Sequence, residues 1–304
     1  MALIPLGILS AAGAGAGPLL ALNGYFAGGS SVFNDGPGLT TVDKFVYSTG
    51  TRSTLGTGLT ANSYEMSGTN NTGVGAYISL RGTALNKFSL PSDTRSTLTA
   101  KPAHRSHEGG AENDGVAGYL MGGYDSGFNR LSSIVKILYS NDSNSTIGTT
   151  LSTARNDGSG FSNDGVAVYA AGGQLEGTTV DKIAVPADTR TTLATGLSSS
   201  NRSGAGFNDK GVAGYVGGGT GLLTGVNKFS FPTDTRSSSS TLSVSGRWGF
   251  ATEQNGVKAY IALGINNGTD AVMDTMNEYA FPTDTRTSTL TLSSARRAGA
   301  GASA

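Results

Sequence analysis

The chain has 304 residues, a formal net charge of zero, 37% hydrophobic residues and 14% charged ones. That supplies ample material for a core and excludes the charge excess of a disordered chain. Without a surplus of Lys and Arg to neutralise phosphates, nucleic acid is not an expected partner. The absence of Cys excludes disulfides, thiolate metal sites and a thiol nucleophile, and leaves the compartment open.

Residues 1 to 34 carry no charged side chain. A secretory signal would need a basic n-region, and a membrane-spanning helix would be interrupted by Pro5 and Pro18. Residues 1–20 are therefore expected to form an extended apolar arm without membrane insertion, whose Leu3, Ile4, Pro5, Leu6, Ile8 and Leu9 dock on a partner.

From residue 21 onward one unit recurs. Tyr25, Tyr77, Tyr119, Tyr169, Tyr215 and Tyr260 mark six copies, spaced 52, 42, 50, 46 and 45 residues apart. A period of this length, with double glycines and short β-type runs, predicts an all-β, six-bladed β-propeller of four-stranded antiparallel blades over 21–304. Blades are expected to start near 21, 74, 105, 155, 202 and 247. In the fourth copy the predicted strands are 155–161, 166–173, 179–185 and 190–197. Asn163-Asp164-Gly165 supplies the hairpin turn, and Gly172-Gly173 turns the chain out of the sheet without a Cβ penalty. Third strands alternate so that Lys44, Lys87, Lys136, Lys182 and Lys228 form one row, with Glu278 in the sixth copy. After the last copy, SSARRAGAGASA repeats the first-strand pattern, so residues 295–303 are expected to close the ring against GYFAGG. The rival for that slot is SAAGAGAG at 10–17.

The unit, with its Arg-led first strand, Gly-Gly at 28/29, 122/123, 172/173 and 217/218, and aromatic third strand, resembles the kelch repeat. It lacks the kelch Trp and has an Asp-Thr-Arg turn instead, so the resemblance implies the fold and not a function. The leader MALIPLGILSAAGAG and the Gly/Ser/Thr-rich copies resemble virion proteins of tailed phages, including cyanophage-like ones. That resemblance implies a virion location, with secreted or cell-surface as the alternative, an attachment arm binding other virion or assembly proteins, and an exposed head able to meet a host glycan or receptor.

Candidate sites are weighed against plain structural roles. Arg105, Arg155, Arg202, Arg247 and Arg296 open first strands and are expected as a ring near one channel mouth. Such a ring would bind an anion, but a residue repeated in every blade more often serves what every blade shares. Arg52, Arg95, Arg190, Arg236 and Arg286 follow a turn that in four blades contains Asp93, Asp188, Asp234 and Asp284, which are expected to make local Asx-type bonds. His104, His107 and Glu108 are too few, and face opposite ways on a strand, to hold a metal. The Asn-Asp-Gly motifs at 34–36, 113–115 and 163–165 are expected as turns, not calcium loops. No catalytic motif is present, so no enzyme activity and no cofactor are expected.

Overall fold

Short runs of aromatic, β-branched and small residues, each cut by Gly, Asn, Asp or Pro, give 26 strands among the described residues. The computed structural model describes residues 20–304 apart from 34, 35, 176 and 282. Blade 1 holds β1 (Asn23–Ala27), β2 (Val42–Val46) and β3 (Thr51–Thr54), and blade 2 holds β4 (Ser67–Asn71), β5 (Gly75–Ser79), β6 (Leu85–Ser89) and β7 (Thr94–Thr97). Blade 3 holds β8 (Gly109–Asn113), β9 (Ala117–Met121), β10 (Ser133–Leu138) and β11 (Ser143–Thr150). Blade 4 holds β12 (Ser159–Asn163), β13 (Ala167–Ala171), β14 (Val180–Ala184) and β15 (Thr189–Thr192). Blade 5 holds β16 (Ala205–Asp209), β17 (Ala213–Gly217), β18 (Val226–Ser230) and β19 (Thr235–Ser239). A short pair, β20 (Gly246–Arg247) and β23 (Ile265–Asn266), flanks blade 6, which holds β21 (Phe250–Gln254), β22 (Lys258–Ala262), β24 (Thr275–Ala280) and β25 (Thr285–Thr291). The last strand, β26 (Ala300–Ser303), pairs antiparallel with β1 and completes blade 1. The fold is thus a six-bladed β-propeller closed by its C-terminal strand.

Two local expectations shift. Blade 2 begins at β4, before the expected residue 74, because the polar SGTNN run has no leading Arg to mark it. The innermost strand of blade 4 runs Ser159–Asn163, so Arg155 precedes it rather than opening it.

The core lies between blades rather than within them. Six buried clusters each join two adjacent blades, as where Tyr25, Ala27 and Val42 meet Ala76, Ile78 and Phe88. Nearest the axis the spacing is tighter still. A Cβ added at Gly68, Gly110, Gly160, Gly206 or Gly301 would come within 1.9–2.4 Å of a carbonyl oxygen in the preceding blade's innermost strand. Only Gly fits there.

Closure also relies on Arg296, which bonds Asp43 Oδ2 at 3.0 Å across the chain's two ends. Truncation after Leu292 removes β26 and this pair, and is expected to abolish the cooperative thermal transition followed by near-UV circular dichroism. Gly206→Val should cost about 2–3 kcal/mol or more by guanidinium denaturation, because the added methyls meet backbone.

Candidate functional site: the axial channel and its two faces

Each second-strand Tyr lies directly opposite the third-strand Lys, at Tyr25/Lys44, Tyr77/Lys87, Tyr119/Lys136, Tyr169/Lys182 and Tyr215/Lys228. The ammonium sits 5.1–5.7 Å from the ring centroid. Both side chains then reach one carboxylate in the next blade: Asp93, Asp142, Asp188, Asp234 or Asp284. The Tyr hydroxyl donates at 2.6–2.9 Å, and the Lys pairs at 2.5–2.8 Å. Burial, and next the hydrogen bond to the carboxylate, raise these phenol pKa values, so each Tyr stays a donor. The Asp residues therefore latch blade to blade instead of making the expected local turn bonds. Asp142, in an Asn-Asp-Ser turn, was hidden by its different sequence.

At the sixth junction both partners change. Glu278 faces Tyr260 and pairs with Lys258 at 3.2 Å. Gly50 takes the left-handed turn position, with φ 66°, where the Asp residues have φ 52–56°.

The five predicted arginines do not form one ring. Arg105, Arg155 and Arg296 are buried, with guanidinium groups turned beneath the Gly turns: Arg105 donates to Gly122 O at 2.7 Å and Arg296 to Thr41 O at 3.3 Å. Arg155 pairs with Asp181. Arg202 and Arg247 fall one residue later in the repeat, so Arg202 is exposed and Arg247 pairs with Asp270 at 2.5 Å. Asn201 takes the buried position in blade 5, donating to Gly218 O at 3.0 Å. The second Arg series also leaves its Asp neighbours: Arg95 donates to Gly58 O at 2.6 Å and Arg52 to Thr291 O at 3.3 Å.

The upper face carries the loops that follow the second strands. Around its channel mouth stand Glu65, His107, Asp157, Ser203, Trp248 and Ala298, one per blade, all with φ between 50° and 59°. Each backbone N–H donates to the carbonyl of its counterpart in the preceding blade at 2.6–2.9 Å, and the six bonds close a ring. His107 Nε2 lies 3.2 Å from Glu65 Oε1 and 3.7 Å from Asp157 Oδ1. Burial opposes protonation of His107, but Glu65, Asp157 and Glu108 outweigh it and raise its pKa. Burial likewise raises the Asp157 carboxyl. Beside them Arg297 lies over the rings of both Tyr64 and Trp248, and Arg247 over those of Trp248 and Phe33. This ladder ties blades 6, 1 and 2 together near the junction that lacks the latch.

Below the mouth lies a cavity of about 100 Å³, lined by the axial glycines and by Asn70, Glu108, Glu112, Asn208 and Glu253. Burial, and then the facing Glu253, hold the Glu112 carboxyl well above the usual range; burial also raises Glu253. At the lower mouth Lys210 bridges Asp114 at 2.9 Å and Asp164 at 3.3 Å. Burial disfavours its ammonium, but Glu112, Asp164 and Asp114 prevail and raise its pKa. Asp114 and Asp164 belong to the Asn-Asp-Gly turns, where their carboxylates accept from Thr72 N at 2.7 Å and Asp114 N at 3.1 Å and so join neighbouring blades. The turn at 34–36 has Asn34 and Asp35 outside the described residues. Among the described residues no three His, Asp or Glu side chains are grouped to hold a metal ion.

The lower face has its own repeated feature. Leu22, Val74, Val116, Val166, Val212 and Val257 occupy one equivalent position, each carbonyl accepting from the residue that follows the third strand. All six are exposed, from 38% to 67%. Leu3, Ile4, Pro5, Leu6, Ile8 and Leu9 lie outside the described residues; the described chain enters at Leu20, on this face. The molecule is defined as a β-propeller by its fold alone: no protein-family model matches the chain, and no curated protein matches it either.

Two outcomes test the electrostatics. Gly50→Asp with Glu278→Lys should install the missing latch, and a double-mutant cycle should show about 1 kcal/mol of favourable coupling. His107 is stabilising while protonated, so its contribution is complete below about pH 6.5 and declines as pH rises through its raised folded value. The melting temperature difference between wild type and His107→Gln should therefore be full below about pH 6.5 and shrink as the pH is raised above it.

Proposed function

We propose that the protein is a non-enzymatic interaction module of a phage virion, on capsid or tail, mounted through its lower face and N-terminal arm and displaying the upper-face loops. The observation that carries this reading is the polarity of the molecule. The described chain begins at Leu20, two residues before the Leu22 member of an exposed six-membered aliphatic ring on the face opposite the loops that vary most between copies, and the sequence before it carries no charged side chain. Exposed apolar sets of this kind mark association surfaces. The likeness of the leader and of the Gly/Ser/Thr-rich copies to phage virion proteins supports the same reading from sequence. The latches and the closed hydrogen-bond ring suit a head that stays folded outside a cell without disulfides.

A second reading is a carbohydrate- or receptor-binding propeller. It is favoured by loop tips that hold Phe128 and Leu175 at φ 60° and 80° while 68% and 72% exposed. Bulky side chains held largely exposed in a sparsely populated backbone conformation point to use by a partner.

Deletion of residues 1–20, or Val116→Ser with Val166→Ser and Val212→Ser, should leave the melting transition intact and abolish incorporation into particles, measured by co-sedimentation with purified virions. Unchanged incorporation of both variants would overturn the mounting role. A glycan array probed with wild type and with the Phe128→Ser, Leu175→Ser variant separates the second reading.

A further inference from the structure

The lower half of the axial channel gathers more carboxyl groups than it has basic partners for. Glu112 and Glu253 come from blades 3 and 6, three blades apart in a ring of six, and so face each other across the axis. Both line the cavity and are at least nine-tenths buried, at 4% and 8% exposure. Asp114 and Asp164 stand at the same mouth, and the cation paired with them is Lys210. Four carboxyl groups therefore share one ammonium, which is ion-paired with Asp114 and Asp164.

Hydrogen bonding is incomplete in the same place. Glu112 Oε1 is buried without a partner, and so is Asn208 Nδ2, although Asn208 Oδ1 accepts from Ser162 N at 3.1 Å. An acceptor left bare in the interior loses its hydration without compensation. The cavity, at about 100 Å³, is roomy enough for several waters. An unpartnered carboxyl oxygen, an unpartnered amide donor and two facing carboxyl groups on one cavity together fit a cation that keeps part of its water shell and displaces the carboxyl protons. The carboxylates would bind the ion or its waters, and the Asn208 amide would donate to a water oxygen.

We propose that the axial chamber between Glu112 and Glu253 binds one hydrated divalent cation, held by these two carboxylates with Asn70 and Asn208 flanking it. Two carboxylates plus retained waters is a donor set suited to Mg²⁺ or Ca²⁺ rather than to a soft, dehydrated metal. The arrangement accounts for two acidic residues at a position that is Asn70, Ser162, Asn208 and Ser303 in the other four blades. It also gives the channel a role independent of what mounts the molecule or what the loops bind.

The test uses the full chain, treated with chelator and dialysed. Its melting temperature is followed during titration with MgCl₂ and with CaCl₂, against NaCl at matched ionic strength. A saturable rise of several degrees with a divalent ion and not with NaCl is expected, and equilibrium dialysis with Mn²⁺ as probe should give one ion per chain. Glu112→Gln and Glu253→Gln should each remove the rise, while Asp270→Asn on an upper loop should keep it. Equal response to NaCl, persistence of the rise in the two glutamine variants, or no Mn²⁺ retained by wild type would each overturn the proposal. The Mn²⁺ measurement on wild type decides the matter even if the glutamine variants do not fold.

Discussion

Six strands must run side by side around one axis, and the spacing this imposes leaves no room for a Cβ at five of the six equivalent positions of one inward belt. Gly68, Gly110, Gly160, Gly206 and Gly301 meet that constraint, with Ala251 as the sixth member of the belt. Because glycines contribute no apolar area, stabilisation has to come from elsewhere. It comes from the junctions, where six apolar clusters pack second and third strands of adjacent blades face to face. Each blade is thus unstable alone and supported only by its neighbours, as expected for a closed repeat.

Directional interactions sharpen this packing. The Tyr–Lys–Asp latch fixes the angle between blades by placing a phenol, an ammonium and a carboxylate in one partly buried triangle. Its loss at the sixth junction is coordinated: the Asp becomes Gly50, and the Lys becomes Glu278, which would otherwise leave a Lys without its carboxylate. The closing strand, the Arg296–Asp43 pair and the Arg297–Trp248–Arg247 ladder stand at the same seam. The junction where the two chain ends meet is therefore held by different chemistry from the other five.

Function falls to the parts that this shared framework does not use. The framework accounts for the repeated Tyr, Lys, Asp and Gly residues, and it absorbs Arg105, Arg155 and Arg296 as buried struts. What remains are the upper loops, the aliphatic ring below, and the acidic pair in the channel. These differ in kind. The loops vary from blade to blade, the ring is nearly uniform, and the acidic pair breaks the repeat at two opposite blades only.

By itself the sequence determined the number of blades, the order of strands and the end that closes the ring, because these follow from a local repeat of turn glycines and alternating side chains. It also carried signals that only comparison of copies exposes: Asp43 and Asp181 in third strands accompany Arg296 and Arg155, whereas Asn86, Asn227 and Asn277 accompany Ser63, Asn201 and Gly246. Tertiary structure alone decided which charges meet. Tyr169 and Asp234 are 65 residues apart, and the Asp looked like a turn residue because its partner lies in the preceding blade. The one-residue offset of Arg202 and Arg247 likewise separates burial from exposure, since a strand-end residue either turns under the double glycine or out to solvent. Glu112 and Glu253 are unremarked in sequence, 141 positions apart, and become a pair only when a six-fold ring sets their blades on opposite sides of the axis.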